Sequence, residues 1–220
     1  DSGETSDQAM AAFRLISQCF TPAFGSLPQF WLKGDHDYLT DAEELTDNQV
    51  FAGISIHNRD AIFPETSKRV GYCYRDFDAY KLRVICLAFP SDGNGHGLNQ
   101  DQITWLENVL DVTGKGTDWK TLLLSHMPID DFTQYVPMMN AVALKAGSII
   151  ANIHGHTHSN TLGTLVGTTI PRISIPALSP YCNDQTNNSG TAFCVVTVDL
   201  DNEKLYVDHY GTDESQEIEL

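Results

Sequence analysis

Ile149-Ile150-Ala151-Asn152-Ile153 runs directly into His154-Gly155-His156-Thr157-His158. The first five positions are largely apolar and β-branched, the pattern of a buried strand, and the run stops at a glycine set among three alternating imidazoles. Ligand-type side chains are thus expected on the loop at a strand's C-terminal end, where open α/β sheets place their sites. Neutral imidazole is the commonest protein ligand for transition metals such as zinc, manganese and iron. The bland alternative is a solvated histidine-rich turn or a tag remnant. A glycine-broken triplet inside the chain is unlike a tag.

Two other stretches repeat the arrangement. Phe30-Trp31-Leu32 leads into Lys33-Gly34-Asp35-His36-Asp37, and Thr121-Leu122-Leu123-Leu124-Ser125 leads into His126-Met127-Pro128. Three apolar strands, each ending in His or Asp, are expected to converge on one rim of one sheet. The combination of Gly34-Asp35-His36-Asp37, His126 and Gly155-His156-Thr157-His158 resembles the calcineurin-like metallophosphoesterases. Blocks of that family include Gly-Asn-His-Asp/Glu, a later lone His after an apolar strand, and Gly-His-x-His.

The resemblance implies an α/β fold, a four-layer α/β/β/α sandwich of two mixed β-sheets. Strands that alternate with helices in one part and run as hairpins in another agree with it, because two sheets with helices outside is the simplest packing. It also implies a metal-dependent phosphoesterase acting on a phosphomonoester or phosphodiester. Such hydrolysis needs a nucleophile made from water, neutralisation of phosphoryl charge, and a proton for the leaving oxygen. Two divalent ions about 3.5–4 Å apart meet the first two needs, and a histidine meets the third. By resemblance, His126 and His156 bind one ion together with Asp35, and His158 binds the other. His36 is the proton donor, and Asp37 orients it through the second ring nitrogen. Mixed His and carboxylate ligation suits Mn, Fe, Zn or Ni. His154 falls outside the pattern and is expected to pack or hydrogen-bond beneath the site.

The chain departs from the family in two places. Asp35 stands where the family has Asn, and its extra negative charge strengthens binding while reducing the Lewis acidity of an ion. No Asp-x-His block and no bridging Gly-Asp block precede Gly34. The expectation is therefore one domain over residues 1–220, the C-terminal part of a longer catalytic domain whose N-terminal strands are missing. An N-terminal segment or another chain then completes the sheet, since an open edge and apolar surface need cover. The alternative is a non-catalytic metallophosphoesterase-like module that binds or scaffolds in a larger assembly.

Composition bounds the rest. At 220 residues, 41% of them hydrophobic, the chain is long enough for a substantial core. Its net charge of −16 argues against extended nucleic acid as a partner, because phosphate contacts need Lys and Arg. No run of about 18 apolar residues exists to span a membrane. Cys19, Cys73, Cys86, Cys182 and Cys194 are scattered without a C-x-x-C motif, which favours reduced thiols and a reducing, cytoplasmic compartment.

Elsewhere, Ala9 to Phe20 has helix spacing, and Thr40-x-x-Glu43 is a capping box. His57 is a surface or packing histidine. Val70 to Phe77 and Leu82 to Phe89 form a hairpin turning at Asp78-Ala79-Tyr80. Ile103, Leu106, Val109 and Leu110 share a helix face after Asn99, with Gln102 and the Trp105-Leu106 pair matching a structural helix of the family. A helix with core-filling Met138 and Met139 follows Pro128. Thr161 to Val166 and Thr169 to Ile175 are strands, and Ala192 to Val198 with Lys204 to Tyr210 form a last hairpin around Asp201-Asn202. Loops at Asp92 to Gly97, Asp130 to Tyr135 and Tyr181 to Gly190 are expected to border the site.

Overall fold

The computed structural model describes residues 18, 27–32, 61–63, 72–88, 100–112, 115–116, 118–131, 135–175, 193–210 and 215–219. Their strands form a mixed six-stranded sheet and a three-stranded antiparallel sheet. The first sheet contains β1 (Cys73–Phe77), β2 (Leu82–Cys86), β3 (Lys120–Ser125), β4 (Ile149–His154), β5 (Leu162–Thr164) and β6 (Pro171–Ser174), in the order β1-β2-β3-β4-β6-β5. Strands β2, β3, β4 and β6 are parallel, with an antiparallel strand on each flank. The second sheet is β7 (Phe193–Asp199), β8 (Lys204–Tyr210) and β9 (Gln216–Glu219). Helices α1 (Gln100–Val109) and α2 (Tyr135–Leu144) make the two crossovers β2-α1-β3 and β3-α2-β4.

Because β2, β3 and β4 step across the sheet in one direction, two crossovers of the same hand place both helices on one face. Ile103, Leu106, Val109 and Leu110 of α1, with Met139, Ala141 and Val142 of α2, pack there against Ile85, Leu123 and Ile149. The opposite face meets the second sheet, where Val84, Leu122, Ile150, Ala151, Ile153 and Ile173 bury against Leu205 and Val207. The order among the described residues is helices, mixed sheet, antiparallel sheet.

One irregularity decides which side chains face which core. Between Thr121/Leu122 of β3 and its partner strand the register shifts, from Thr121↔Ile149 to Leu122↔Ala151. Ile150 and Ala151 consequently both face the second sheet. A bulge of this kind reverses the alternation that follows it, and it carries Asn152 and His154 to the helix side.

Hairpin β1-β2 turns through Asp78–Tyr80 as expected, closed by Lys81 in the left-handed region at φ 51°. Arg83 fastens this hairpin to α1. It donates to both carboxylate oxygens of Asp76 (2.7 and 2.9 Å) and to the Val109 carbonyl (2.6 Å), over the Tyr74 ring. Burial pushes the Asp76 carboxyl up, but Arg83 and Lys115 more than offset this and hold it below the usual range. Gln102, fully buried, bonds both backbone groups of Ala88 just beyond β2: Ala88 N donates to Oε1 (2.9 Å) and Nε2 donates to the carbonyl (3.1 Å).

Two expectations are corrected. Phe30-Trp31-Leu32 joins no ladder among the described residues. Pro28 removes a donor beside it, and the open side of β1 is engaged by Ile62, which exchanges backbone hydrogen bonds with Tyr74 (2.7 and 3.1 Å). The segment docks through Phe30 instead, whose ring meets Phe77 at 6.2 Å and lies on the inter-sheet core. The second sheet is antiparallel, not mixed, and includes the unexpected β9. In Gln216-Glu217-Ile218-Glu219, Ile218 packs inward and Glu217 and Glu219 pair with Lys204. Charges of this kind protect an edge strand.

The helix expected over Ala9 to Phe20, apart from the helical and exposed Gln18, lies outside the described residues. So do the Thr40-x-x-Glu43 capping box, His57, Cys19 and Cys182. No described helix is long and apolar enough to cross a membrane.

Two predictions concern stability. Gln102→Leu, close in volume, leaves the Ala88 amide and carbonyl buried without partners and costs about 2–4 kcal/mol in urea unfolding. His209 is buried, opposite Cys194 in the ladder, with neither ring nitrogen hydrogen-bonded among the described residues. Burial holds its pKa below the ordinary value, with Asp208 opposing weakly. The unfolded chain takes up the proton at about pH 6.5 while the folded chain resists it. Stability is therefore full above that pH and falls below it. His209→Leu flattens the fall, as thermal unfolding between roughly pH 7 and 5 will read out.

Candidate metal centre

Strands β3 and β4 pair in parallel up to Ser125↔His154, so their C-terminal ends finish side by side. His126 is the first residue past β3, and Gly155 the first past β4. Gly155 N donates to the His126 carbonyl at 3.0 Å, which continues the ladder one step into the loops. The imidazoles of His126 and His156 then lie edge to face, with ring centres 5.3 Å apart at 75°. Nitrogen–metal bonds of about 2.0–2.1 Å put each ring centre roughly 3 Å from a shared ion, so two imidazoles on a tetrahedral ion sit roughly 5 Å apart. The observed ring-centre spacing is close to that distance.

The loop carrying His156 and His158 is tightly wound. His156 has φ 62° and His158 has φ 50°, both in the left-handed region, which costs an ordinary L-residue about 1–2 kcal/mol. Thr157 N donates to the Gly155 carbonyl at 2.7 Å between them. Such conformations persist where surrounding bonds enforce them, and they cluster at functional sites.

Beneath the loops lies a buried polar layer on the helix side of the sheet. Asn152 donates through Nδ2 to Ser125 Oγ (2.9 Å) and the Leu123 carbonyl (3.3 Å), and its Oδ1 accepts from Ile129 N (3.3 Å). It thereby ties the segment after His126 to the strand before His156. His154 is 2% exposed and donates through Nδ1 to the Gly155 carbonyl at 2.9 Å. Burial lowers its pKa, opposed by that hydrogen bond and assisted by the Arg172 charge. Asp130 accepts from Arg172 (3.2 Å) and from Val166 N (3.0 Å). The part of Asp130 to Tyr135 expected to border the site thus turns inward at Asp130 as a structural anchor.

His126 and His156 are brought together, and His158 is held two residues further along the same loop. Asp35, His36 and Asp37 lie outside the described residues, as do the loops Asp92 to Gly97 and Tyr181 to Gly190. Among the described residues no group of three His, Cys, Asp or Glu side chains is placed to hold a metal. Asn152, Arg172 and Ser174 belong to no motif of the sequence, whereas Asp130 stands in a loop expected to border the site. Of the first three, only Asn152 left a trace, as an amide inside an apolar strand.

Because His158 is left-handed, His158→Gly should leave stability within about 1 kcal/mol of wild type, glycine's conformational gain offsetting its entropy loss. The β-branched His158→Val should cost about 1–2 kcal/mol. Equal stabilities for the two in denaturant unfolding would show that the loop holds no such strain.

No protein-family model matches this chain, and no curated protein matches it.

Proposed function

We propose that this chain is a metal-dependent phosphoesterase of the calcineurin-like type. The observation that carries this reading is the pairing of His126 with His156 at the ends of adjacent parallel strands, at a spacing suited to one ion. Asp35 completes that ligand set and His158 serves a second ion. The chemistry supplied by two bound divalent ions, whether Mn, Fe, Zn or Ni, is activation of water and neutralisation of the phosphoryl oxygens. His36 gives the proton to the leaving oxygen, and Asp37 holds its ring in place. The buried layer of Asn152, Ser125 and His154 keeps the two histidine loops in register and excludes water from below.

The four-layer α/β/β/α sandwich is the architecture consistent with this function. The outer face of the antiparallel sheet supports it: Phe193, Val195 and Tyr210 are 45–49% exposed, and Phe193 stacks on Tyr210 at 4.8 Å. A further helix layer would cover that apolar patch.

The test is metal content by elemental mass spectrometry after dialysis against manganese and, separately, zinc. About two ions per chain are expected, with loss in His156→Ala, together with hydrolysis of bis(p-nitrophenyl) phosphate. His36→Ala should keep its metal and lose about 10²–10⁴-fold in kcat. Metal content indifferent to His156→Ala would defeat the proposal. Metal retained without hydrolysis would favour a binding or scaffolding module.

A further inference from the structure

Both ends of the loop from Gly155 to Thr161 are fixed by backbone bonds. Gly155 N donates to the His126 carbonyl, Ser174 N donates to the Thr161 carbonyl at 2.9 Å, and Ile175 N donates to the His154 carbonyl at 2.8 Å. The middle, where His156 and His158 sit, is fixed from outside the loop by a side chain. Ser174 ends β6 beside His154 in the ladder and is completely buried. Its Oγ lies 2.5 Å from Thr157 Oγ1 and 3.5 Å from Ser159 Oγ, and Ser159 Oγ donates to Thr157 Oγ1 at 2.9 Å.

A hydroxyl has one proton to donate and two lone pairs to accept with. Three hydroxyls in a ring satisfy one another when Ser159 donates to Thr157, Thr157 to Ser174 and Ser174 to Ser159; the Gly155 carbonyl, 3.5 Å from Thr157 Oγ1, competes for the Thr157 proton from the longer distance. The two short links, Ser159 to Thr157 and Thr157 to Ser174, polarise one another, and the 3.5 Å contact between Ser174 and Ser159 adds little. Thr157 lies between two residues held in the left-handed region, so anchoring it fixes the backbone on both sides at once. We infer that Ser174 is a positioning residue: through Thr157 it sets where His156 and His158 stand relative to His126. The metal part of this inference rests on the proposed phosphoesterase site, whereas the loop part does not.

The sequence offers no hint of this role, because Ser174 is sixteen positions beyond His158 and lies in a strand-like run. It arises because β6 pairs with β4 and brings its last residue under the loop.

Two measurements on the whole chain test it. The first records imidazole nitrogen–proton correlations in metal-free protein. Wild type and Thr157→Ser, which keeps the hydroxyl, should each give single sharp signals for His156 and His158. Ser174→Ala and the near-isosteric Thr157→Val should broaden or split both, and thermal unfolding confirms that each variant folds. Unchanged signals in folded Ser174→Ala and Thr157→Val would overturn the inference.

The second is cobalt(II) affinity followed by visible absorption. Ser174→Ala and Thr157→Val should each bind about tenfold more weakly, as loss of an outer support typically does. The double variant should be no weaker than either single one, and Thr157→Ser should match wild type. Wild-type affinity in Ser174→Ala alongside lost binding in His156→Ala would refute Ser174 and leave the metal site standing. No cobalt binding by wild type would refute the metal site, and the imidazole signals would still decide the role of Ser174 in the loop.

Discussion

The parallel pairing of β3 with β4 is the constraint from which the candidate site follows. Parallel strands share a direction, so their C-terminal ends emerge on one side of the sheet, and whatever follows them in sequence is brought together. Here the residues that follow are His126 on one strand and Gly155-His156 on the next, and the Gly155–His126 backbone bond holds them in step. The same directionality sends α1 and α2 to one face, leaving the other free to bury the antiparallel sheet.

The register shift within that pair is nearly as consequential. Strict alternation from Ile149 would put Asn152 and His154 between the two sheets, among Leu205 and Val207, where an unpaired amide costs about 1–3 kcal/mol. The bulge turns both to the helix side, where Ser125, Leu123 and Ile129 supply partners for Asn152 and the Gly155 carbonyl accepts from His154. The layer so formed is buried and hydrogen-bonded, and surrounding bonds of this kind allow two left-handed histidines to persist on the loop above. Packing and hydrogen bonding below the rim thus set the geometry of the side chains above it.

Electrostatics play a quieter part. Despite a net charge of −16, the half-buried Asp76 is matched by Arg83 with Lys115 and the buried Asp130 by Arg172. The excess negative charge therefore falls on other positions. Cys73, Cys86 and Cys194 carry no disulfide, and burial raises the thiol pKa of Cys86 and Cys194, the latter to about 11.

The sequence by itself determined most of the described elements, though not their ends. The apolar runs of β3 and β4, the turn at Asp78–Tyr80, the buried stripe of α1 and the turn between β7 and β8 are local patterns of hydrophobic period and turn chemistry, legible without knowing what packs on them. It also exposed the histidines, because imidazoles at the end of an apolar strand are conspicuous. It misassigned Phe30–Leu32 and passed over β9, since apolar content alone does not reveal whether a ladder partner exists, nor does charge reveal that an edge strand is being protected. Tertiary structure alone decided the bulge, the inward turn of Asp130, and the placement of Ser174 beneath Thr157. Each depends on which strand lies beside which, and that neighbour relation joins residues far apart in the chain whose pairing leaves no periodic mark on either one.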